Sequence, residues 1–201
     1  MENKNSAFKE FISPILVLVV ICFVVTFLLA FTYGVTKPII DANTAKAASE
    51  ARMELLSDAD NFSDSGADLV ELEPGKVYAV DAYTADNGTG MVVTVKSNSY
   101  GGLLTAMVGI DKDGAITGVK VTEHADTPGV GTKAQDAGHL SQYEGLTELG
   151  SDTIKAHADS VVEVTGASVS SGAIHKAVYC ALEQFKAMRS EEHTSELQSR
   201  I

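Results

Sequence analysis

The chain has 201 residues, 45% of them hydrophobic, which allows one membrane segment and one globular domain but no second large core. Its formal net charge of -12 argues against nucleic acid as a partner, because phosphate binding needs clustered Lys and Arg side chains. The two cysteines, Cys22 and Cys180, lie far apart in the sequence and predict neither a disulfide framework nor a metal site. Redox chemistry in this chain would therefore need a cofactor.

The first predicted element is a transmembrane helix over residues 15–35. This run of 21 residues carries no charge, and a helix of that length spans about 30 Å, the thickness of the hydrocarbon core of a bilayer. A cleaved signal peptide is the alternative, but the apolar run is longer than a usual signal core and no clear cleavage site follows it. We expect Pro38 to end the helical region, and the lysines on both sides of the run leave its orientation open.

Residues 1–36 are thus predicted to be a tail and a membrane anchor, and residues 37–76 a juxtamembrane helix with an acidic linker. Residues 42–56 are rich in Ala, Glu, Lys and Arg, a composition that favours helix and predicts a stalk. In residues 57–75, acidic side chains occur together with glycine and proline. This composition indicates a solvated surface connection.

Four β-like runs predict a sheet in a domain over residues 77–188. Glycine-bearing turns separate them, Asp86-Asn87-Gly88 and Asp111-Lys112-Asp113-Gly114, and such turns are typical of hairpins. The second turn resembles the start of a calcium loop, but Ala115 stands where the next oxygen ligand is needed, so we interpret it as a hairpin turn. The four runs are residues 77–84, 91–96, 103–111 and 116–123.

A glycine-rich segment follows the last run. Residues 124–133 read HADTPGVGTK, and the two glycines and the proline predict a tight backbone that can approach a ligand closely. An ordinary turn explains the same residues equally well.

A C-terminal helix is predicted after the hydroxyl-rich residues 165–171. Ser170 or Ser171 is placed to cap this helix, where free N–H groups and the helix dipole favour a phosphate. From the residues alone, helix capping explains these serines better than phosphate binding does. Apolar residues at helical spacing predict a face that packs into the core: Ala173, Ile174, Ala177, Val178, Ala181, Leu182, Phe185 and Met188.

We interpret residues 189–201 as a sequencing-adapter artefact. Residues 189–199 read RSEEHTSELQS, which eleven consecutive codons of a widely used sequencing-library adapter encode in one frame. A genuine polar tail is the alternative. His193 is therefore not a candidate for any site.

The turn Thr165-Gly166-Ala167-Ser168 resembles the flavin attachment motif Asp-x-x-Ser/Thr-Gly-Ala-Thr/Ser of the FMN-binding domain family. This family includes the G subunit of Rnf-type ion-translocating complexes and the C subunit of sodium-translocating NADH:quinone reductases. Its last hydroxyl residue forms a phosphoester bond to FMN, which implies Ser168 here. Serine stands where threonine is usual, and Val162, beside Glu163, replaces the aspartate.

A second resemblance covers the glycine-bearing elements, and with the anchor and the stalk it extends over nearly all of residues 1–188. The short chain favours the G subunit. Residues 124–133 are similar to the family element H-x-E-T-P-G-L-G-x-K, with Asp126 for glutamate and Val130 for leucine. The other matching elements are Tyr100-Gly101-Gly102, Ile110-Asp111, Gly114-x-Ile116-x-Gly118-Val119 and Ser141-Gln142-Tyr143-x-Gly145.

The resemblance implies an α+β fold in which one N-terminal transmembrane helix precedes a mixed α/β FMN-binding domain with an antiparallel sheet and a C-terminal helix. It implies a redox subunit with covalent FMN and without catalytic residues or metal of its own. Its complex would couple ferredoxin and NAD to sodium or proton movement. The implied cofactor-binding residues are Ser168, Thr165, Gly166, Ala167, Ser170, Ser171, Thr127, Pro128, Gly129, Gly131, His124 and Lys133.

The implied partners are other subunits of a membrane redox complex, a flavin transferase for maturation, and membrane lipid. The implied location is the cytoplasmic (inner) membrane of a bacterial cell, with the tail in the cytoplasm and the FMN domain on the outer face. Three alternatives stay open: the C subunit of a sodium-translocating reductase, a membrane-tethered FMN-binding electron donor or sensor without ion pumping, and a structural domain with unmodified Ser168.

Overall fold

The computed structural model describes residues 12–154 and 161–199, with side chains described as far as residue 190. The chain divides into two compact units, and the boundary lies between Ala47 and Ala48. Most of the predicted N-terminal tail lies outside the described residues.

Helix α1 runs from Ser13 to Leu55 and is the one described helix that is long and apolar enough to cross a membrane. Its large apolar side chains between residues 15 and 35 are exposed, as a lipid-facing surface requires. The prediction that Pro38 ends the helical region is wrong, because Pro38 lies inside α1. A proline removes one hydrogen bond from a helix without necessarily ending it, so residues 42–55 are the last part of α1 and not a separate stalk helix.

The sheet has six antiparallel strands in the order β1-β3-β4-β5-β6, with β2 also paired to β3. The four predicted runs are confirmed with small shifts at their ends. Two short strands lie inside the segment that was predicted as an acidic connection, because backbone pairing with β3 is available to them whatever their side chains are. The strands are β1 (Phe62–Asp64), β2 (Glu71–Glu73), β3 (Val77–Ala85), β4 (Gly90–Ser99), β5 (Gly102–Asp111) and β6 (Ile116–Glu123).

The turn between β5 and β6 is a hairpin, as predicted. Asp111 Oδ1 accepts hydrogen bonds from the backbone N–H groups of Asp113 at 2.9 Å and Ala115 at 2.8 Å. Gly114 has a φ of 92°, a left-handed conformation that favours glycine. The carboxylate of Asp111 is thus occupied in shaping the turn.

After β6, short helices lead to the C-terminal helix. They are a 3-10 turn over Gly131–Gln135, helix α2 over Ala137–Leu140, and a second 3-10 turn over Ser141–Tyr143. Helix α3 runs from Ser168 to Ser199. The predicted cap at Ser170 or Ser171 is wrong, since both residues lie in the first turn of α3, after Ala167 and Ser168 have already led into the helix.

The core lies between α3 and one face of the sheet. Side chains alternate between the two faces of a strand, so Leu104, Ala106, Val108 and Ile110 of β5 all join this core. The predicted apolar stripe of α3 is confirmed, with six of its members buried and Phe185 and Met188 packed against them at the edge.

The opposite face of the sheet packs against the end of α1. Ala51 and Leu55 form a second apolar cluster with Val92 and Met107, which point away from α3. Together the layers place one sheet between two helical segments, which confirms the predicted α+β fold.

Candidate functional site

An open cleft lies at the N-terminal end of α3, and its volume is about 480 Å³. Three segments form its walls: the turn between β4 and β5, the glycine loop (residues 127–131), and the attachment turn (residues 165–168) with the first residues of α3. The lining residues are Tyr100, Thr127, Val130, Gly131, Gly166, Ala167, Ser168, Val169 and Ser170. The fold therefore joins two predicted motifs that are separated by more than thirty residues of sequence.

Burial separates the four hydroxyl residues of this region. Ser170 is 1% exposed and Ser171 is fully buried, whereas Thr165 and Ser168 are exposed. Ser168 also lines the cleft and begins α3, but Thr165 does not line the cleft. Among these four residues, Ser168 alone combines an exposed hydroxyl with a place in the cleft wall.

Local hydrogen bonds build the attachment turn. The Ala167 N–H donates to the Val164 carbonyl at 2.9 Å, and the Val164 N–H donates to Ser171 Oγ at 3.1 Å. Gly166 has a φ of 85°, which a side chain would strain. Ser171 therefore serves the turn itself and is not available to a ligand.

The start of α3 is suited to an anion. The first N–H groups of an α-helix have no partner within the helix, and the helix dipole adds partial positive charge there. Ser168, Val169 and Ser170 bring this helix start into the cleft wall. A phosphate group bound beside Ser168 would thus be stabilised by the backbone.

The glycine loop forms the facing wall. Gly129 has a φ of 75° and open space around it, so its role is conformational. Gly131 is buried, and a Cβ atom there would lie 2.8 Å from Asp126 Cβ and 2.9 Å from Ser170 Oγ. The second glycine therefore allows the loop to pack tightly against the start of α3.

The predicted cofactor-binding residues fall into two groups. Those that line the cleft are Thr127, Gly131, Gly166, Ala167, Ser168 and Ser170. Those that do not line it are His124, Pro128, Gly129, Lys133, Thr165 and Ser171. His124 and Lys133 are exposed, so the structure gives no cleft contact to either side chain.

Three apolar residues of the cleft were not predicted as site residues. Tyr100 is 77% exposed, Val130 51% and Val169 55%, and their side chains provide apolar surface around the helix start. Tyr100 and Val130 lie in two of the motifs that were matched in the sequence. An aromatic or aliphatic residue next to glycines was therefore the signal that could have identified them as site residues. Val169 carried no such signal.

Asp126 is a fourth residue that was noted in a motif but given no role. It is 4% exposed, and both of its carboxylate oxygens accept from the Ser99 hydroxyl at 2.8 Å. Oδ1 also accepts from the Gly101 N–H at 3.0 Å. A buried acidic side chain with this many donors holds its surroundings in place.

The same contacts keep Asp126 ionised. Burial by itself would raise the pKa of this carboxyl group, but hydrogen bonds from Gly101 and Ser99 lower it. The Ser170 hydroxyl and the nearby His124 lower the pKa further, and the result is a pKa below the ordinary value. A fixed negative charge therefore lies buried next to the glycine loop, outside the lining of the cleft.

The dimensions and surfaces of the cleft fit FMN. Pockets for ligands of this size typically measure about 300–1,000 Å³, and this cleft falls inside that range. The exposed apolar side chains suit a planar ring, and the helix start suits a phosphate. The exposed hydroxyl of Ser168 lies beside that helix start.

Comparisons with known proteins agree with this site. Residues 99–183 match the sequence profile of the FMN-binding domain family, and this stretch includes all three walls of the cleft. The G subunit of the proton-translocating ferredoxin:NAD(+) oxidoreductase complex of Clostridium ljungdahlii is 26% identical over 172 residues, which cover 83% of this chain and 87% of the relative.

Two further relatives are also G subunits. The one from the ion-translocating oxidoreductase complex of Methanosarcina acetivorans is 28% identical, over 89% of this chain and 96% of the relative. The one from the Na(+)-translocating ferredoxin:NAD(+) oxidoreductase complex of Acetobacterium woodii is 28% identical, over 85% and 89%. The resemblance inferred from the sequence is confirmed: residues 99–183 match the FMN-binding domain family, and the chain is similar over most of its length to G subunits of ion-translocating oxidoreductase complexes.

Proposed function

We propose that this chain is the membrane-anchored electron-transfer subunit of a ferredoxin:NAD-linked ion-translocating complex, with FMN attached covalently to Ser168. The observation that carries the proposal is the exposed Ser168 at the start of α3, in the wall of a cleft inside the FMN-binding domain. The apolar helix α1 supplies the anchor.

The residues of the chain would bind and orient the cofactor. The start of α3 would hold the phosphate, and Tyr100, Val130 and Val169 would cover the ring and exclude water from part of it. Once bound, the isoalloxazine ring supplies the redox chemistry, and the protein sets its position and surroundings. No general acid, general base or nucleophile of this chain is required for electron transfer.

The partners follow from the same proposal. Electrons would pass between this domain and other redox subunits of the complex, and a separate flavin transferase would load Ser168. We place the anchor in the bacterial cytoplasmic membrane and the FMN domain on its outer face. The G-subunit relatives match this chain over 87–96% of their own length, which supports the G subunit over the C subunit of a sodium-translocating NADH:quinone reductase.

The test is coexpression of the full chain with a flavin transferase, followed by ultraviolet fluorescence of the denatured band on a gel. We expect a fluorescent band for the original chain and for Thr165→Ala, and a dark band for Ser168→Ala. Thr165 is the matched control because its hydroxyl is also exposed but lies outside the cleft wall. A dark band for the original chain under active transferase would refute covalent attachment, and fluorescence of Ser168→Ala would refute the assigned residue.

A further inference from the structure

Asp126 lies between the three segments that form the cleft. Its carboxylate accepts from Ser99 and Gly101, which flank the start of the turn between β4 and β5. It directly precedes Thr127, the first residue of the glycine loop. The Ser170 hydroxyl, in the first turn of α3, lies close to it, because a Cβ atom on Gly131 would be 2.9 Å from Ser170 Oγ and 3.1 Å from Asp126 Cγ. One buried residue thus lies next to all three walls of the cleft.

Two glycines show how closely the backbone surrounds this residue. A Cβ atom on Gly101 would lie 2.0 Å from the Ala125 carbonyl oxygen and 2.8 Å from the Asp126 backbone nitrogen. A Cβ atom on Gly131 would lie 2.8 Å from Asp126 Cβ. Such distances leave no room for a side chain at either glycine. The backbone of the turn and the backbone of the glycine loop therefore pack directly against Asp126 and its neighbour Ala125.

Asp126 contributes little to the packing of the main core. It follows the end of β6 and lies outside the strands and the helix α3 that form most of the main core. Its hydrogen-bond partners all belong to segments that line or adjoin the cleft. Loss of the carboxylate would therefore loosen the cleft before it loosened the sheet and α3.

The contact with Ser170 also affects which hydroxyl a transferase can reach. Ser170 lines the cleft and lies two residues after Ser168, but the residue is 1% exposed, and its Oγ lies in the same close contact with Gly131 as the side chain of Asp126. Ser168 has no such contact with the carboxylate among the described interactions and is exposed. Ser170 is therefore buried beside Asp126, while Ser168 remains accessible.

We propose that Asp126 is a positioning residue for flavin attachment. Its contacts hold the turn between β4 and β5 and the start of α3 against the glycine loop, which leaves Ser168 accessible to the transferase and keeps Ser170 buried. The inference rests on the proposed function of Ser168. Attachment forms a bond between Ser168 Oγ and the flavin phosphorus and breaks the bond from that phosphorus to the nucleotide leaving group of a flavin dinucleotide. The hydroxyl proton is released, and no electrons are transferred.

Two substitutions distinguish the loss of the hydrogen bonds of Asp126 from the loss of its negative charge. Asp126→Ala removes every acceptor. Asp126→Asn keeps an oxygen for the Gly101 N–H, and the hydroxyls of Ser99 and Ser170 can turn to accept from the new amide, because hydroxyl groups both donate and accept. We therefore expect Asp126→Asn to retain most of the attachment rate and Asp126→Ala to lose it.

A matched control lies in the middle of the same helix, away from the cleft. Gln184 is fully buried in α3 and bonds the Val70 N–H at 2.7 Å and the Asp68 carbonyl at 3.0 Å. Gln184→Leu removes these bonds without touching the cleft. It therefore measures what a general loss of stability does to flavin attachment.

The experiment incubates the full-length variants in detergent with limiting flavin transferase and flavin adenine dinucleotide. It measures the rate of covalent fluorescence, the modified residue by peptide mass analysis, and the melting temperature. We expect Asp126→Ala to attach flavin roughly tenfold to a hundredfold more slowly, with part of the label on Ser170. Gln184→Leu should melt lower but attach flavin at nearly the original rate.

Three results would overturn the inference. They are an unchanged attachment rate and site in Asp126→Ala, an equal slowing in Gln184→Leu, and a slowing in folded Asp126→Asn as large as that in Asp126→Ala. If Asp126→Ala does not fold, the attachment rates of Asp126→Asn and Ser99→Ala test the inference instead. Asp126→Asn should keep the hydrogen bonds at residue 126 and the attachment rate, whereas Ser99→Ala should weaken both. Failure of the original chain to take up flavin would refute the proposed function, which is a separate outcome.

Discussion

The side-chain oxygen of Gln142 accepts a hydrogen bond from the backbone N–H of Val162 at 2.8 Å. The side-chain nitrogen of the same Gln142 lies 3.2 Å from Nδ1 of His139. Gln142 thereby joins the helical segment after the glycine loop to the residues that lead into the attachment turn. Because an amide oxygen only accepts and an amide nitrogen only donates, Nδ1 of His139 is the acceptor in this pair.

Replacement of Gln142 should destabilise the domain. In Gln142→Leu, Nδ1 of His139 loses its partner in a residue that is 4% exposed, and an unsatisfied polar group costs about 1–3 kcal/mol when it is buried. The Val162 N–H also loses its partner, but it belongs to an exposed residue and water can replace that bond. We expect the free energy of unfolding, measured by urea titration of the full chain in detergent, to fall within that range. Ser141→Ala is the control, since Ser141 is exposed and its hydroxyl lies 3.4 Å from the Gly138 carbonyl. Equal stability of Gln142→Leu and the original chain would contradict the assigned role.

His139 should make the stability depend on pH. Its side chain is 4% exposed, and burial lowers the pKa of the imidazole below the ordinary value of 6.5, although a contact with the Val162 backbone opposes the shift. At a pH just below 6.5, the folded state then binds fewer protons than the unfolded state. The contribution of His139 to the stability is therefore complete above this pH and falls as the pH drops towards the pKa of the folded state.

The measurement is the melting temperature of the original chain and of His139→Gln between about pH 7 and pH 5. We expect the original chain to lose stability over this interval more steeply than the variant, whose residue 139 does not titrate. Parallel curves for the original chain and His139→Gln would show that His139 does not titrate in this way.

The close contact at Gly131 predicts a second effect on stability. In Gly131→Ala the new methyl group would lie 2.8 Å from Asp126 Cβ and 2.9 Å from Ser170 Oγ, so the loop or the helix start must shift. Such overpacking costs about 1–3 kcal/mol. Gly138→Ala is the control, because nothing lies within 4 Å of that position and its backbone is helical. We expect urea unfolding to show a loss for the first variant and no loss for the second.

Val162 offers a gain of function. The residue is 63% exposed and stands where the attachment motif of the family has an aspartate, so Val162→Asp restores the motif on a surface that accepts a charge. We expect flavin attachment to Ser168 to become severalfold faster with limiting transferase, as measured by in-gel fluorescence over time. Leu69→Asp, which adds the same charge at an exposed apolar residue outside the cleft, should leave the rate unchanged. A slower or unchanged rate in Val162→Asp would show that this chain does not use the aspartate.

The sequence predicted those elements whose signal is local. Residues 15–35 predict a membrane helix by composition alone, and alternation and turn residues located β3 to β6 within a few positions. The apolar stripe of α3 was visible for the same reason, since a period of 3.6 residues is a property of neighbouring residues. The attachment turn was recognised as a motif, and Ser168 as its last hydroxyl residue.

The tertiary structure decided what depends on residues that are distant in sequence. The pairing of β1 and β2 with β3 could not be predicted from the acidic segment, because backbone groups form the hydrogen bonds of a strand pair and the side chains show no strand pattern there. The cleft exists only where Tyr100, the glycine loop and the start of α3 come together. A role for Asp126 could be proposed only because Ser99, 27 residues earlier in the chain, donates a hydrogen bond to it and Ser170 is buried beside it. Burial and hydrogen bonding between distant residues arise from the folded chain, and no local pattern encodes them.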